Sequence, residues 1–235
     1  MSRLSSEGKC IYCQKKYSSS GISRHLGTHL KSLEKEQNTN SKAYHIKVSA
    51  SQMFLHLLMR RDETLYELDD FLRAIWLECC GHMSSFEIKG KSYHVGWDFD
   101  AEIGEDKSQS VDKVFKKGLK INYQYDFGTT TQLKIVVVNE YNIKVKKGIE
   151  LLTRNEPLKI LCHVCEKKPA VDICSVCIYD GEGFLCESCA KKHAKKCSDF
   201  DDYAKMPVVN SPRMGDCAYM GGNIDTKRDG AWKGD

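Results

Sequence analysis

Between residues 44 and 48, Tyr44, Ile46 and Val48 alternate with polar residues, a period of two that predicts a half-buried strand. The apolar run "MFLHLLM" (53–59) fits a second strand or a buried helix, and periodicity alone does not separate them. Thr64 and Glu67 stand at the spacing of a capping box. Leu65, Leu68, Leu72, Ile75 and Cys79 then recur at helical spacing, which predicts a helix over about 64–79 ending near Gly81. Phe86/Ile88 and Tyr93/Val95 flank Gly90 as in a short hairpin. In "LKINYQYDFG" (119–128), Leu119, Ile121, Tyr123, Tyr125 and Phe127 fall on one face and Lys120, Asn122, Gln124 and Asp126 on the other. "QLKIVVV" (132–138) follows a Gly-Thr turn, so the two runs form the strongest antiparallel hairpin of the chain. The pattern predicts an α+β domain, an antiparallel sheet packed on helices.

Polar stretches divide the chain into residues 1–34, a linker-like "EKEQNTNSK" (34–42), a middle domain over 43–155, a cysteine-rich module over 158–200 and an extended tail over 201–235. No apolar run approaches the ~20 residues of a membrane span. The start "MSRLSSEGKC" has no apolar core of a secretory signal, so the expected location is cytoplasmic, with no membrane partner. Twelve cysteines in a reducing compartment then point to metal rather than disulfides. The formal charge of +4 assumes neutral thiols; ligating thiolates with their zinc ions would bring it close to zero, so global charge is no argument for a nucleic-acid partner. The acidic run "DFDAEIGED" (98–106) does not read as an EF-hand, because Ile103 and Gln109 stand where Gly and Glu are needed.

In "CHVCEKKPAVDICSVCIYDGEGFLCESCAKKHAKKC" (162–197), three Cys-x2-Cys pairs are followed by His193 and Cys197, eight ligands for two tetrahedral sites. Cys189, His193 and Cys197 are spaced four and four along good helix formers. Eight residues of continuous helix rise about 12 Å, while ligands of one zinc lie only about 4 Å apart. The expected pairing is therefore a cross-brace: Cys162, Cys165, Cys186 and Cys189 on one ion, and Cys174, Cys177, His193 and Cys197 on the other. The arrangement resembles B-box modules, with Cys in place of their final His. Both sites are closed, so the metals are expected to be structural.

Cys10, Cys13, His25 and His29 in "CIYCQKKYSSSGISRHLGTH" have the spacing of a Cys2His2 finger with one residue too few before the first His. A third zinc is expected here, three per chain in all. Aligned on His25, the base-facing positions are Ser18, Gly21 and Arg24, and Gly21 can read nothing. Yet Arg3, Lys9, Lys15, Lys16, Arg24 and Lys31 face a single acid, Glu7, within residues 1–33. Lys15, Lys16 and Arg24 are the candidates for phosphate contacts without sequence reading; a solvated face on a folded staple is the alternative.

The stretches "YHIKVSA", "TLYELDDFLRAIW", "GHMSSFEI" and "YQYDFG" give residues 43–138 a resemblance to the plasmid pRi open-reading-frame-three-like family, also described as insertion-element passenger proteins. The resemblance implies an α+β domain with an antiparallel sheet on helices and no established reaction. Many members continue after "YDFG" with Asp, Trp and His at alternating positions, where this chain has "TTTQL" (129–133). It looks closer to a branch that combines "LECCGH", "YDFGTTT", "GFLC" and "PVVNSPRMG" and brings no known activity.

Cys79, Cys80 and Cys217 remain outside the clusters. In "LECCGH", Cys79, Cys80 and His82 read as packing residues, as a thiol with a base, or as a metal site with a distant fourth ligand. The tail "MPVVNSPRMGDCAYMGG" (206–222) reads as an extended segment over another surface, and "DTKRDGAWKGD" as disordered. The expected function is a non-enzymatic, zinc-stabilised binding protein for a macromolecule, nucleic acid or protein, with no small-molecule substrate indicated. The alternative is an enzyme with a middle-domain pocket near Cys79, Cys80, His82 and Asp126.

Overall fold

A computed structural model describes residues 6–94 and 105–234. Arg3, Val95 and most of the acidic run at 98–106 lie outside them. The chain divides into two compact units, one of Ser5–Leu72 with His82–Glu156 and one of Arg73–Gly81 with Pro157–Asp235.

The first unit opens with a hairpin, β1 (Glu7–Lys9) and β2 (Lys16–Ser18), and helix α1 (Gly21–Gln37). Then come β3 (Lys42–Ala50), β4 (Met53–Arg60), α2 (Leu65–Leu72), β5 (Ser84–Ile88), β6 (Lys91–His94), β7 (Glu105–Asp106), α3 (Val111–Val114), β8 (Lys120–Tyr125), β9 (Thr131–Asn142) and β10 (Ile149–Arg154). The sheet runs β10-β4-β3-β9-β8-β5-β6-β7, antiparallel except for β6 with β7. "MFLHLLM" is β4, an interior strand between β10 and β3 with every residue from 53 to 59 buried. Burial on both faces is why its sequence lost the alternation that marks β3 and β8.

The capping box forms, with the Thr64 N–H donating to Glu67 Oε2 at 2.7 Å. The α-helix, however, stops at Leu72, and residues 73–77 widen into a π turn in which the Glu78 N–H reaches the Arg73 carbonyl at 2.9 Å. Gly81, at φ +80°, lies beyond that turn. Phe127 departs from its expected face and is 44% exposed, because Asp126 at φ +63° turns the chain outward after Tyr125.

The two faces of the sheet are covered by different helices. On one, Tyr123 donates its hydroxyl to Asp69 of α2 at 2.7 Å and the Tyr44 ring meets Phe115, just after α3, at 5.5 Å. On the other, Ala43, Phe54, Leu58, Tyr141, Ile143, Val145 and Leu152 form one core with Cys10, Ile22, Leu26 and Leu30. The finger helix is thus packed on the sheet. Burying Ile22, Leu26 and Leu30 contributes about 1.5–3 kcal/mol each, and Gly21, as the first helical residue, escapes the ~1 kcal/mol that glycine costs a helix interior.

In the second unit, β11 (Asp172–Cys174) lies between β12 (Phe184–Leu185) and β13 (Lys205–Pro207), and α4 (Glu187–His193) follows β12. The tail runs over the 73–81 segment: Ser211 Oγ donates to the Trp76 carbonyl, and the Asn223 N–H donates to the Ala74 carbonyl at 2.6 Å. Gly222 sits where a Cβ would lie 2.4 Å from the Ile75 carbonyl oxygen. The expectation of disorder after residue 224 is corrected. Asp229 accepts from the Asn210 N–H through its carbonyl and from the Gly222 N–H through Oδ2, and Lys159 lies 5.1 Å from the Trp232 ring centre. Two of the charges that suggested solvation pair with each other, Arg228 with Asp225 at 2.8 Å. Among the described residues, no helix is long and apolar enough to cross a membrane.

Candidate metal centres

Among the described residues four groups could hold metal ions, each with its ligand atoms within 4.8 Å of one another: Cys10, Cys13, His25 and His29; Cys162, Cys165, Cys186 and Cys189; Cys174, Cys177, His193 and Cys197; and, within the smaller unit, Cys79, Cys80 and Cys217.

In the finger, the β1–β2 hairpin carries the cysteines and α1 carries both histidines one turn apart, so that four side chains converge. Cys13 Sγ lies 3.2 Å from His25 Nε2, and the Tyr17 ring stacks on His25 at 4.0 Å. Burial, with His29 and Lys15 nearby, lowers the His25 pKa and favours the neutral imidazole that a metal requires. Of the aligned base-facing positions, Ser18 lies in β2, Gly21 is the first helical residue and Arg24 is exposed on the helix. Lys15 and Lys16 are exposed as well.

The cross-brace brings together the two sets expected from the helix argument, although the helix itself ends at His193. Cys186 caps α4 and Cys189 lies in its first turn, while the chain curls from His193 to Cys197, whose N–H returns to the His193 carbonyl at 2.9 Å. A tetrahedron with Zn–S of about 2.3 Å has a sulfur–sulfur edge of about 3.8 Å. Cys165–Cys186 and Cys177–Cys197 are each 3.8 Å apart. Burial and the neighbouring thiols push Cys177 and Cys189 up to about 12. At Cys186 burial acts upward too, but hydrogen bonds from Ser188 and the Cys189 N–H bring it down to about 6. A bound cation would remove the repulsion that keeps the crowded thiols protonated.

Cys79, Cys80 and Cys217 are not packing residues: Cys79 is half-buried and the other two are exposed. The apolar row of the 64–79 segment stops with the π turn at Leu77, so the chain that follows leaves the interior. Cys80 Sγ lies 3.6 Å from Cys217 Sγ and 3.8 Å from Cys79 Sγ. Hydrogen bonding with Cys217 and then Cys79 pushes Cys80 up to about 12. Within the larger unit, His82 Nε2 is 3.4 Å from Asp126 Oδ2. Sequence spacing placed Cys79, Cys80 and His82 together but could not supply Cys217, which the tail delivers from 137 residues away.

Between the finger and the cross-brace lies the domain built from β3 to β10. Residues 43–153 match the family model of plasmid pRiA4b ORF-3-like proteins. Among solved structures, a protein of unknown function from Methanosarcina mazei Go1 is similar at 20% identity, over 49% of this chain and 68% of that one, with a TM-score of 0.40. The search of curated proteins gives no match.

Among the described residues, the matched domain holds buried polar groups that no motif announced. Lys107, fully buried, donates to Ser84 Oγ at 2.8 Å and lies 3.3 Å from Asp69 Oδ1, which also accepts from Ser84 and Tyr123. This network ties α2, β5, β8 and residue 107 together; the paired charges explain how a lysine stays inside. His45 Nε2 and His56 Nδ1 are 2.8 Å apart, both fully buried, and burial lowers His45 to about 4 and His56 well below its ordinary value. An open groove of about 420 Å3 is lined by Lys42, Arg60, Arg61, Asp62 and Lys144 among others. Three of its cations are already paired, Lys42 with Glu140, Arg60 with Asp62 and Arg61 with Asp112, so it offers little to an anion. At 129–133, Thr131 and Leu133 point inward and Gln132 outward, with no titratable side chain.

Proposed function

We propose that the protein is a zinc-stabilised, non-enzymatic binding protein that grips nucleic-acid phosphate through the outer surface of its finger, without reading sequence. Zinc is the metal favoured at the finger and the cross-brace, because thiolate and imidazole in closed tetrahedral sets suit it and leave no position for water or substrate. The observation that carries the binding reading is the orientation of α1. Its apolar stripe is buried on the sheet, while Lys15, Lys16 and Arg24 remain exposed and, among the described residues, in no ion pair. Basic side chains without acidic partners on a rigid support suit phosphate contacts. Gly21 supplies nothing for a base edge and the Ser18 hydroxyl is engaged by the Gly21 N–H and Ser20, which favours non-specific contact.

The test is binding of the zinc-loaded chain to random duplex DNA and to structured RNA at two salt concentrations. Affinity is expected to fall as salt rises, and the Lys15→Glu/Lys16→Glu/Arg24→Glu variant to lose at least tenfold at low salt, with a slope shallower by about 0.9 per lost phosphate contact on duplex DNA. Failure of the wild-type chain to bind either nucleic acid at low salt would overturn this reading and leave a protein partner as the alternative for the same surface.

A further inference from the structure

We propose that Cys79, Cys80 and Cys217 bind a fourth zinc ion, which fastens the tail to the turn after the π helix. All three thiols belong to the smaller unit.

The first argument is distance. The sulfur separations of 3.8 Å for Cys79–Cys80 and 3.6 Å for Cys80–Cys217 match the edge of about 3.8 Å of a tetrahedron around zinc, as in the cross-brace. They are far from the ~2.05 Å of a sulfur–sulfur bond. The second is chemistry. Three converging thiolates form a soft ligand set that suits zinc and disfavours magnesium and calcium. The third is burial: Cys80 and Cys217 are exposed, so hydrophobic packing gives no reason for two segments 137 residues apart to bring thiols together.

The surroundings agree. Three thiolates with one Zn2+ carry a net charge of about −1. The guanidinium of buried Arg213, on the same tail, reaches Cys79 Sγ at 3.8 Å. Within the smaller unit, the ion would close a long loop between the turn at 79–80 and the tail, where Ser211 and Asn223 already bond to the 74–76 backbone.

Native mass spectrometry of the full zinc-loaded chain tests this. We expect four zinc per chain in the wild type and one fewer in Cys217→Ser and in Cys80→Ser. The loss of one ion is read as a difference, so it stands even if another group proves empty and the wild-type count is lower. Alkylation of the wild type provides a check that needs no variant: Cys80 and Cys217 should react at least tenfold more slowly with iodoacetamide before a chelator is added than after. Equal zinc counts in wild type and variants, equal alkylation rates, or a Cys80–Cys217 disulfide-linked peptide from the freshly purified chain would each overturn the proposal.

Discussion

Cys10 and Cys174 are each a fully buried ligand at the heart of a metal group, but their neighbours differ. Cys10 lies in a core with Ile22, Leu26 and Leu30 of the finger helix and Phe54, Leu58 and Leu152 of the sheet. Cys174 lies among Cys162, Cys186, Cys189, Leu185, Ala190, Phe200 and Ala204, so that with Cys174 itself half of the core is candidate ligands. One ligand chemistry therefore plays two structural parts. The core around Cys174 has few apolar side chains of its own, so zinc, if bound, would supply much of its folding energy, on the order of 10 kcal/mol per ion. The finger has an apolar helix face that the sheet covers, so metal there adds to a fold that burial already supports.

Metal removal is the strongest way to break this comparison. In the Cys174→Ser variant, or after a chelator, the amides of α4 should lose hydrogen-exchange protection while those of α1 keep most of theirs. Loss of protection in both helices together would show that the finger depends on metal as fully as the cross-brace does. Leu26→Ala addresses the other side. It removes a fully buried side chain at the finger–sheet contact and should cost the larger unit about 2–5 kcal/mol in denaturant unfolding, more than Cys13→Ser costs it. The reverse order would make the metal, rather than burial, the main support of the finger.

How legible each region was in the sequence follows from the same contrast. The cross-brace could be paired from spacing because its ligands are the core, and tetrahedral geometry leaves few ways to connect them. The finger's ligands were equally plain. Its docking was not, since the partners Tyr141, Ile143 and Leu152 lie more than a hundred residues away and carry no mark of what covers them. Alternation revealed β3 and β8, solvated on one side in their sequence pattern, but not β4, which has no solvated side. At Cys79 and Cys80 the spacing left the distant ligand open, because the fold of the tail, not local spacing, brings Cys217 to Cys80. The π turn escaped because Arg73–Leu77 has the composition of an ordinary helix.

Acid should probe the sheet beneath the finger. His45 and His56 alternate with Ala43, Phe54 and Leu58 on the strand face that α1 covers. Burial lowers His45 from 6.5 to about 4, so the unfolded chain takes up this proton first as pH falls. Stability is thus fully present above about pH 6.5 and is lost on the way down to about pH 4, by about 2 kcal/mol at pH 5 from His45 alone. His56, also lowered, acts in the same direction. Acid releases metal as well, so the useful quantity is a difference: urea unfolding at pH 7 and pH 5 should show a smaller loss in His45→Gln/His56→Gln than in the wild type. Identical losses would mean that the pair does not titrate on unfolding.

The smallest effect on stability belongs to the outer surface of the finger, and it separates binding from folding. Lys15, Lys16 and Arg24 are exposed and form no ion pair among the described residues, so their charge reversal removes no packing and leaves no buried group without a partner. Each substitution is expected to move the unfolding free energy by about 0.5 kcal/mol or less, and the zinc content should stay unchanged. The same three changes are expected to cost at least tenfold in nucleic-acid affinity at low salt. The finger folds by the apolar face of α1 and binds by the exposed cations of its hairpin and helix only if the two can be altered independently. If the reversal destabilised the larger unit as strongly as Leu26→Ala does, these cations would have to be part of the contact between finger and sheet, and the surface assigned to phosphate would be structural instead.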